Sequence, residues 1–217
     1  MSKPWCSIIV PTLVERPMIF DHLPDEETLQ RMGIELIVVW DRFEWRNTSK
    51  SMNIGAAVAR GSVFCFIEDD AGLNFAELIE VVKKVMDDEK SFYWITEPHI
   101  LIIRRETFFR MGGYDERYDY PGNFDVELRD RLRYYGYRML PFPYENVRPQ
   151  HLRPSVHNRF RFYRMQKHFT LTYVRYKTFP LRKVLWRKNP IELTRRIIWV
   201  LEWLLITRWR RRSIFEG

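Results

Sequence analysis

The sequence predicts an α/β fold in which helices flank a mostly parallel sheet. Short and almost wholly apolar runs, such as residues 7–10 and 35–40, are typical of strands covered on both faces, as in parallel sheets. Segments with apolar residues at helical spacing lie between such runs, for example at residues 75–86. This alternation favours a parallel sheet over an antiparallel meander.

The expected elements follow one another over the first 140 residues. The first strand, at residues 7–10, ends at Pro11, and the second, at residues 35–40, ends at Asp41. Later strands are expected at residues 62–67, 100–103 and 137–140, and helices at residues 25–32, 51–60, 75–86, 105–111 and 125–135. Gly61, Gly112 and Gly136 each directly follow an expected helix, and glycine commonly marks a helix end.

Charged residues divide the chain into two parts. Residues 1–150 carry 19 Lys and Arg against 25 Asp and Glu, whereas residues 151–217 carry 17 against 3, and the whole chain has a net charge of +8. We therefore expect one α/β domain over residues 1–150 and a basic, aromatic-rich extension over residues 151–217. The positive charge of the extension indicates an anionic partner, either phospholipid or nucleic acid.

The two cysteines and the N-terminus bear on the cellular compartment. Cys6 and Cys65 fall within apolar strand-like runs, and the first residues lack the charged-then-apolar pattern of a secretory signal. These features predict a cytoplasmic protein with reduced thiols. The sequence also has no P-loop pattern, no Cys/His zinc spacing and no Gly-x-Ser-x-Gly turn, which argues against an NTPase or a serine hydrolase.

The most informative motif is the acidic triplet Glu68-Asp69-Asp70, which directly follows the strand expected at residues 62–67. Three adjacent carboxylates at the end of a buried strand repel one another unless a cation or solvent compensates their charge. The triplet therefore predicts a metal site at a strand end. A solvated acidic turn is the alternative interpretation.

Several motifs occur in a fixed order between roughly residues 5 and 140. They are residues 7–12, residues 37–41, Asn53-x-Gly55 with Ala59-Arg60-Gly61, residues 66–70, Gly112-Gly113-Tyr114-Asp115-Glu116, and Asp125 with Leu128, Arg131 and Gly136-Tyr137. Their succession resembles the family 2 glycosyltransferases of the GT-A fold. The resemblance implies a GT-A-like nucleotide-binding sheet and a transferase that uses a nucleotide sugar and a divalent cation, Mn²⁺ or Mg²⁺, and inverts the anomeric centre.

The resemblance implies a metal centre at the acidic triplet. Asp70 would be the direct ligand of the cation, and Glu68, which stands where the family more often has Asp, would reach the cation or its water. His151 follows a Pro-rich segment that we expect to return toward the site, and in some relatives a histidine there completes the metal centre or contacts the diphosphate. An ordinary surface histidine is the alternative.

The resemblance also implies a nucleotide pocket at the strand ends. Asp41 would accept a hydrogen bond from a pyrimidine base, so that a UDP-sugar is the first choice of donor, and Asp69 would contact the ribose or the metal. Pro11 and Thr12 would shape the neighbouring wall, and Asn53 would complete the pocket. The turn after Asp41 departs from the family, and a strand-capping Asp is the alternative there.

Transfer to a hydroxyl group requires a base, because a sugar hydroxyl attacks only as its proton is removed. Many relatives carry a Glu-Asp pair at the start of a helix, and this chain has Phe124-Asp125. The resemblance therefore implies that Asp125 is the general base. Its alternative role is that of an acidic residue that stabilises the N-terminus of a helix.

The extension contains a predicted amphipathic helix near residues 190–212. Asn189 and Pro190 suit its start, and its apolar part is only about 11 residues long, too short for the roughly 20 that span a bilayer. Tryptophans and flanking arginines suit a helix at the inner face of the membrane. Packing on the catalytic domain or at an oligomer interface is the alternative, and nucleic acid is disfavoured because no fold for base readout is recognised.

The sequence thus predicts a glycosyltransferase that moves a single sugar to a hydroxyl acceptor, such as a lipid-linked one, at a membrane surface. Transfer of one sugar is favoured because the Gln-x-x-Arg-Trp motif of processive synthases does not occur. Two alternatives remain. One is a catalytically inactive GT-A-like protein that binds membrane or nucleic acid, and the other is a sugar-phosphate nucleotidyltransferase.

Overall fold

The computed structural model describes residues 3–40, 48–96, 98–116, 124–141 and 149–152, together with residues 193–194, 197–201 and 205. The chain divides into two compact units. One comprises Met1–Asp119 and Phe124–Val156, and the other comprises Tyr120–Asn123 and His157–Gly217. The elements that follow, from the first strand to residue 151, all belong to the first unit.

The described part of the first unit alternates strands and helices. The strands are β1 (Cys6–Thr12), β2 (Ile34–Trp40), β3 (Val63–Ile67), β4 (Ala71–Gly72), β5 (Ser91–Thr96), β6 (His99–Arg104), β7 (Arg138–Met139) and β8 (Gln150–His151). The α-helices are α1 (Glu26–Arg31), α2 (Thr48–Val58), α3 (Phe75–Asp87), α4 (Arg105–Arg110) and α5 (Phe124–Tyr134), and a 3-10 helix spans Met18–His22.

Six of the strands form one sheet in the order β2-β1-β3-β6-β5-β7. Neighbours pair in parallel on both sides of β1 and between β5 and β7, whereas β6 is antiparallel to β3 and to β5. The predicted α/β fold with a mostly parallel sheet is confirmed. The reversal of β6 was not predicted, and it has a simple cause: only two residues separate β5 from β6, and so short a connection joins antiparallel neighbours.

Both faces of the central strands are buried. Every residue of β1 and β3 is buried, and the side chains of β3 alternate between two apolar layers. On one face, Cys65 joins a cluster with Val82 and Val85 of α3. On the other, Phe66 packs against Phe108 of α4 at a ring distance of 4.9 Å. Helices therefore cover the sheet on both sides, as the apolar strands predicted.

Close packing of α2 on the sheet depends on one small residue. A Cβ atom at Gly55 would lie 2.4 Å from the Ile9 side chain of β1 and 3.1 Å from that of Val39 in β2. Any larger residue would push α2 away from the sheet. The glycine of the Asn53-x-Gly55 motif therefore sets the distance between this helix and β1.

A hydrogen-bonded carboxylate holds together the edge of the sheet where β1 and β2 begin. Oε1 of Glu35 accepts hydrogen bonds from Ser7 Oγ (2.6 Å), the Arg60 backbone N–H (2.5 Å) and the Gly61 backbone N–H (3.0 Å). Burial acts to raise the pKa of Glu35, but the hydrogen bonds from Ser7, Arg60 and Gly61 outweigh it, and the pKa lies below its usual value. The ionised side chain therefore stabilises the fold.

We expect Glu35→Gln to lower the free energy of unfolding at pH 7 by about 2 kcal/mol, because charge-assisted hydrogen bonds are lost. The pKa in the folded state is lowered, so this contribution is complete above the unfolded value of 4.5 and is lost as pH falls through the folded value. Urea unfolding at a series of pH values measures it. Exposed Glu27→Gln is the control, with little effect expected, and a difference that persists at low pH would contradict the explanation.

The described residues of the second unit are helical at positions 193–194, 197–201 and 205. Trp199 and Val200 are buried, whereas four apolar side chains are exposed: Ile197, Ile198, Leu201 and Leu205. Within the described ranges, no helix combines the length and the apolar character needed to cross a bilayer.

Candidate active site

The candidate site begins where β1 and β3 end. Pro11 and Thr12 are buried at the end of β1, and the Thr12 hydroxyl donates a hydrogen bond of 2.7 Å to Oδ2 of Asp69. The backbone carbonyl of Asp69 accepts a hydrogen bond of 2.9 Å from the N–H of Ile19, in the 3-10 helix. Asp69 is therefore held by both its side chain and its backbone. Parallel neighbouring strands bring these predicted residues to one edge of the sheet.

Glu68 and Asp70 place two more carboxylates at this edge. The Asp70 side chain is buried and that of Glu68 is half-buried. Glu68 Oε2 accepts a hydrogen bond of 2.8 Å from the His99 backbone N–H, and the Glu68 N–H donates one of 3.0 Å to the His99 carbonyl. The pKa of Glu68 is raised to about 7, chiefly by burial and also by the charges of Asp70, Asp125 and Asp69, while the hydrogen bond from the His99 N–H acts to lower it.

The chemistry of these side chains fits a divalent cation. Glu68, Asp69 and Asp70 offer hard oxygen ligands of the kind that Mn²⁺ and Mg²⁺ accept. After burial, the charges of Asp70 and Asp69 contribute to the raised pKa of Glu68, and a bound cation would relieve this repulsion. Among the described residues, no three His, Cys, Asp or Glu side chains are grouped so that they could hold a metal ion by themselves. Further ligands would therefore come from elsewhere, such as phosphate oxygens.

A small second sheet brings the chain back beside the triplet. β4 directly follows Asp70 and pairs with β8, so that Ala71 lies opposite His151. The N–H of Leu152 donates a hydrogen bond of 2.8 Å to the carbonyl of Asp70. The backbone of His151 therefore lies next to the triplet. Its side chain is outside the described part of the structure, and its role as a metal ligand stays a prediction.

Asp125 lies in the first turn of α5 and is buried. Its Oδ2 atom is 3.9 Å from Nδ1 of His99, and its charge contributes to the raised pKa of Glu68. The structure therefore brings the predicted base close to the acidic triplet although Asp125 follows Asp70 by 55 positions in the sequence. His99 contacts both: its backbone N–H is hydrogen-bonded to Glu68, and its buried side chain faces Asp125.

Asn53 connects α2 to the turn that follows α4. Its Oδ1 accepts a hydrogen bond of 3.0 Å from the Tyr114 N–H, and its Nδ2 donates bonds of 2.9 Å to the Tyr114 carbonyl and to Oε1 of Glu116. Gly113 has a φ of +70°, and a Cβ there would lie 2.8 Å from Asn53 Oδ1. The amide thus fixes the backbone of this turn. Its predicted contact with the nucleotide stays a prediction.

We expect Asn53→Ala to lower the free energy of unfolding by about 2 to 3 kcal/mol, because the backbone N–H and carbonyl of Tyr114 lose their partners. Urea unfolding measures the change. Asn74→Ala is the matched control: it removes an amide that caps α3, away from the turn, and should cost about 1 kcal/mol. An Asn53 variant as stable as the wild type would refute this structural role.

Sequence reasoning missed His99 and Tyr114. The Tyr114 hydroxyl lies 2.9 Å from Nε2 of His99, and both side chains are buried. A single histidine at the start of an apolar strand carries no spacing signal, and Tyr114 was recognised only as part of a turn motif. Asp41, by contrast, was predicted from the sequence but lies outside the described residues. The described chain reaches Trp40, which pairs with Thr12 at the same edge.

Comparisons with solved structures identify the fold. The chain matches a mannosyltransferase from Pyrobaculum calidifontis, solved with GDP-Man and Mn²⁺, over 93% of this chain and 75% of that chain, with 15% identity and a TM-score of 0.61. It matches the catalytic domain of a Drosophila beta1,4galactosyltransferase 7, solved with xylobiose, over 71% of each chain, with 20% identity and a TM-score of 0.51. The fold is therefore similar to that of GT-A glycosyltransferases, as the sequence motifs predicted.

A third match extends this likeness. Residues 1–349 of S. aureus TarS match 78% of this chain, which spans 65% of that one, with 13% identity and a TM-score of 0.51. No protein-family model matches the sequence, and no curated protein sequence is significantly similar to it. At these levels of identity the comparisons establish the fold, and the activity has to be argued from the site.

Proposed function

We propose that this protein is a metal-dependent inverting glycosyltransferase that moves a single sugar from a nucleotide sugar to a hydroxyl acceptor at a membrane surface. The proposal rests on one observation: the acidic triplet at residues 68–70 and Asp125 both lie next to the buried His99. The GT-A-like fold supports it. So do the ligands of two structures of this fold, which contain GDP-Man with Mn²⁺ and xylobiose.

On the donor side, the diphosphate of the nucleotide sugar would lie next to the triplet. Asp70 and Glu68, with His151, would hold a Mn²⁺ or Mg²⁺ ion, and this cation would stabilise the negative charge that grows on the leaving diphosphate. Asp69, held in place by Thr12, would bind the ribose or the metal shell. Pro11, Asp41 and Asn53 complete the proposed nucleotide pocket, and a UDP-sugar is the first choice of donor.

On the acceptor side, Asp125 would remove the proton of the attacking hydroxyl. As that oxygen forms a bond to the anomeric carbon, the bond from this carbon to the diphosphate oxygen breaks. The proton ends on the carboxylate of Asp125, and the bonding electrons leave with the nucleoside diphosphate. One displacement of this kind inverts the configuration of the anomeric carbon. The burial of Asp125 limits competition from bulk water for the carboxylate.

A screen of UDP-, GDP- and dTDP-sugars with Mn²⁺ tests the donor class. Binding to the native state raises the melting temperature by mass action, so we expect one donor to stabilise the protein only when the cation is present. Release of the nucleoside diphosphate from that donor would then demonstrate turnover. If no donor binds with any divalent cation, the proposal fails. Release of pyrophosphate from an NTP and a sugar phosphate would indicate a nucleotidyltransferase instead.

The exposed apolar residues of the second unit support the membrane part of the proposal. Ile198, Leu201 and Leu205 are all exposed, and their spacing by three and four residues would place them on one face of the helix predicted near residues 190–212. Residues 151–217 carry 17 Lys and Arg against 3 Asp and Glu. An apolar face within a basic segment suits the interface of a bilayer with anionic lipids, where a lipid-linked acceptor would be found.

We expect glutamate at all three of these positions to weaken binding to phosphatidylglycerol-containing vesicles by about tenfold or more, because the apolar face would lose its burial in lipid and repel the headgroups. Co-sedimentation measures the change, and vesicles of pure phosphatidylcholine serve as the control. If deletion of residues 190–217 leaves vesicle binding unchanged, the segment is a packing or oligomer element rather than a membrane anchor.

A further inference from the structure

The side chain of His99 lies in an arrangement that none of the roles above uses. It is 1% exposed, at the start of β6. Its Nδ1 atom lies 3.3 Å from the carbonyl oxygen of Ile95 and 3.9 Å from Oδ2 of Asp125. Its Nε2 atom lies 2.9 Å from the hydroxyl of Tyr114. Each ring nitrogen therefore faces a defined polar group.

These partners determine the tautomer of the ring. The carbonyl of Ile95 and the carboxylate of Asp125 can only accept hydrogen bonds, so the proton belongs on Nδ1. Nε2 is then an acceptor, and the hydroxyl of Tyr114 donates to it. Burial lowers the pKa of His99 and raises the pKa of Tyr114, and both groups are therefore neutral near pH 7. The Nδ1–H dipole points toward Ile95 and Asp125.

Aromatic packing holds Tyr114 in this geometry. Its ring contacts Phe66 edge to face at 5.2 Å and Phe108 at 5.6 Å. Its backbone N–H and carbonyl are both bonded to the amide of Asn53. The position of the Tyr114 hydroxyl is thus fixed by the packing of its ring and by its backbone hydrogen bonds. The His99 ring, which is bonded to this hydroxyl, therefore has little freedom to rotate. A ring fixed in this way is preorganised, so no reorientation is needed during reaction.

We propose that His99 is a positioning residue for Asp125, and that its Nδ1–H, fixed by the hydroxyl of Tyr114, keeps the carboxylate oriented toward the acceptor. This inference rests on the proposed function, because it assigns a task in the same transfer. The distance of 3.9 Å is longer than a hydrogen bond. Contacts of catalytic groups often shorten in the substrate complex.

The contacts of His99 with Glu68, on the donor side of the site, do not involve its side chain. They are made by the backbone N–H and carbonyl of His99, and not by its ring. Substitution of the side chain therefore leaves the hydrogen bonds to Glu68 in place. Variants at His99 and Tyr114 should affect the step that Asp125 performs and spare the binding of donor and cation.

The first test is Tyr114→Phe, assayed by nucleotide release from the donor that the screen identifies. We expect kcat to fall about tenfold, because the ring is no longer fixed, while the donor KM and the Mn²⁺-dependent rise in melting temperature stay within about twofold and about 1 °C of the wild type. Tyr137→Phe is the matched control, since Tyr137 is also buried and its hydroxyl lies near Arg110 instead. Its kcat should equal that of the wild type.

The second test compares His99→Asn with His99→Gln. The side-chain nitrogen of asparagine can take the place of Nδ1, whereas that of glutamine takes the place of Nε2. We expect the asparagine variant to keep about tenfold more of the wild-type kcat than the glutamine variant, a rescue that depends on the position of the donor group. Cavity formation alone would make the smaller asparagine the worse of the two.

The outcomes distinguish this inference from the proposed function. If the wild type neither binds nor cleaves any nucleotide sugar, the proposed function itself is wrong. If the wild type is active and Tyr114→Phe keeps its kcat, His99 does not position Asp125. Equal loss of kcat in both histidine variants, in proportion to their loss of thermal stability, would also overturn the inference and leave His99 a structural residue.

Discussion

Replacing Asp70 with asparagine is expected to lower the rate of metal-dependent nucleotide release by two to three orders of magnitude. In the proposed mechanism a cation held here would contribute several kcal/mol to stabilisation of the leaving diphosphate, and a neutral amide would be a poor substitute for its carboxylate ligand. Asp70 is buried at 5% exposure, directly before β4, so its carboxylate has little room to be replaced by a neighbouring group. The rise in melting temperature caused by Mn²⁺ with a nucleotide sugar should disappear as well.

Asp87→Asn is the matched control for this experiment. Asp87 is exposed at the end of α3, and its substitution removes the same charge without touching the site. It should leave turnover and the Mn²⁺ response unchanged. An Asp70 variant that keeps more than a tenth of the wild-type rate would remove Asp70 from the metal centre and return the triplet to the interpretation of a solvated turn.

Asp125→Asn is expected to reduce kcat by about 10² to 10⁴, the usual contribution of a general base. The donor KM should change little, because the substitution removes an interaction that matters only as the acceptor loses its proton. Asparagine has nearly the shape of aspartate and can keep the position of the side chain near His99. The effect should therefore be chemical rather than structural.

Two measurements distinguish a chemical effect of Asp125→Asn from a structural one. The melting temperature of the Asp125 variant, with and without Mn²⁺ and donor, should match that of the wild type. Asp130→Asn provides the control on the same helix, since the half-buried Asp130 is hydrogen-bonded to Arg129 and has no proposed part in catalysis. Loss of donor binding in Asp125→Asn would place this residue on the donor side and contradict its role as the base.

Much of the central sheet could be predicted because its strands carry their own signal. β1, β3 and β6 are short apolar runs whose residues are almost all buried, and such runs are recognisable one at a time. β5 was missed because its sequence, SFYWIT, mixes polar and aromatic residues without a clear period. β4 and β8 are two residues each and exist only because they pair with one another. No local sequence pattern predicts a strand of this kind.

The candidate site, too, could be predicted only in part. The acidic triplet could be found because three carboxylates after an apolar run are unusual in themselves. The link from Asp125 through His99 to Tyr114 joins α5, β6 and the turn after α4, which are brought together only by the fold. Its members are a lone histidine and a tyrosine in a turn. Their importance follows from distance and burial, which a single sequence does not contain.

The reversed strand β6 allows the start of a strand to supply a residue to the edge of the sheet where the candidate site lies. In a wholly parallel sheet, only the carboxyl ends of strands meet at that edge. Because β6 runs the other way, Ile100 pairs with Ile67, and the first residue of β6 lies level with the triplet at the end of β3. The amino end of a strand thereby supplies His99 to the same edge. The inverted strand thus gives this fold a second direction from which residues reach the candidate site.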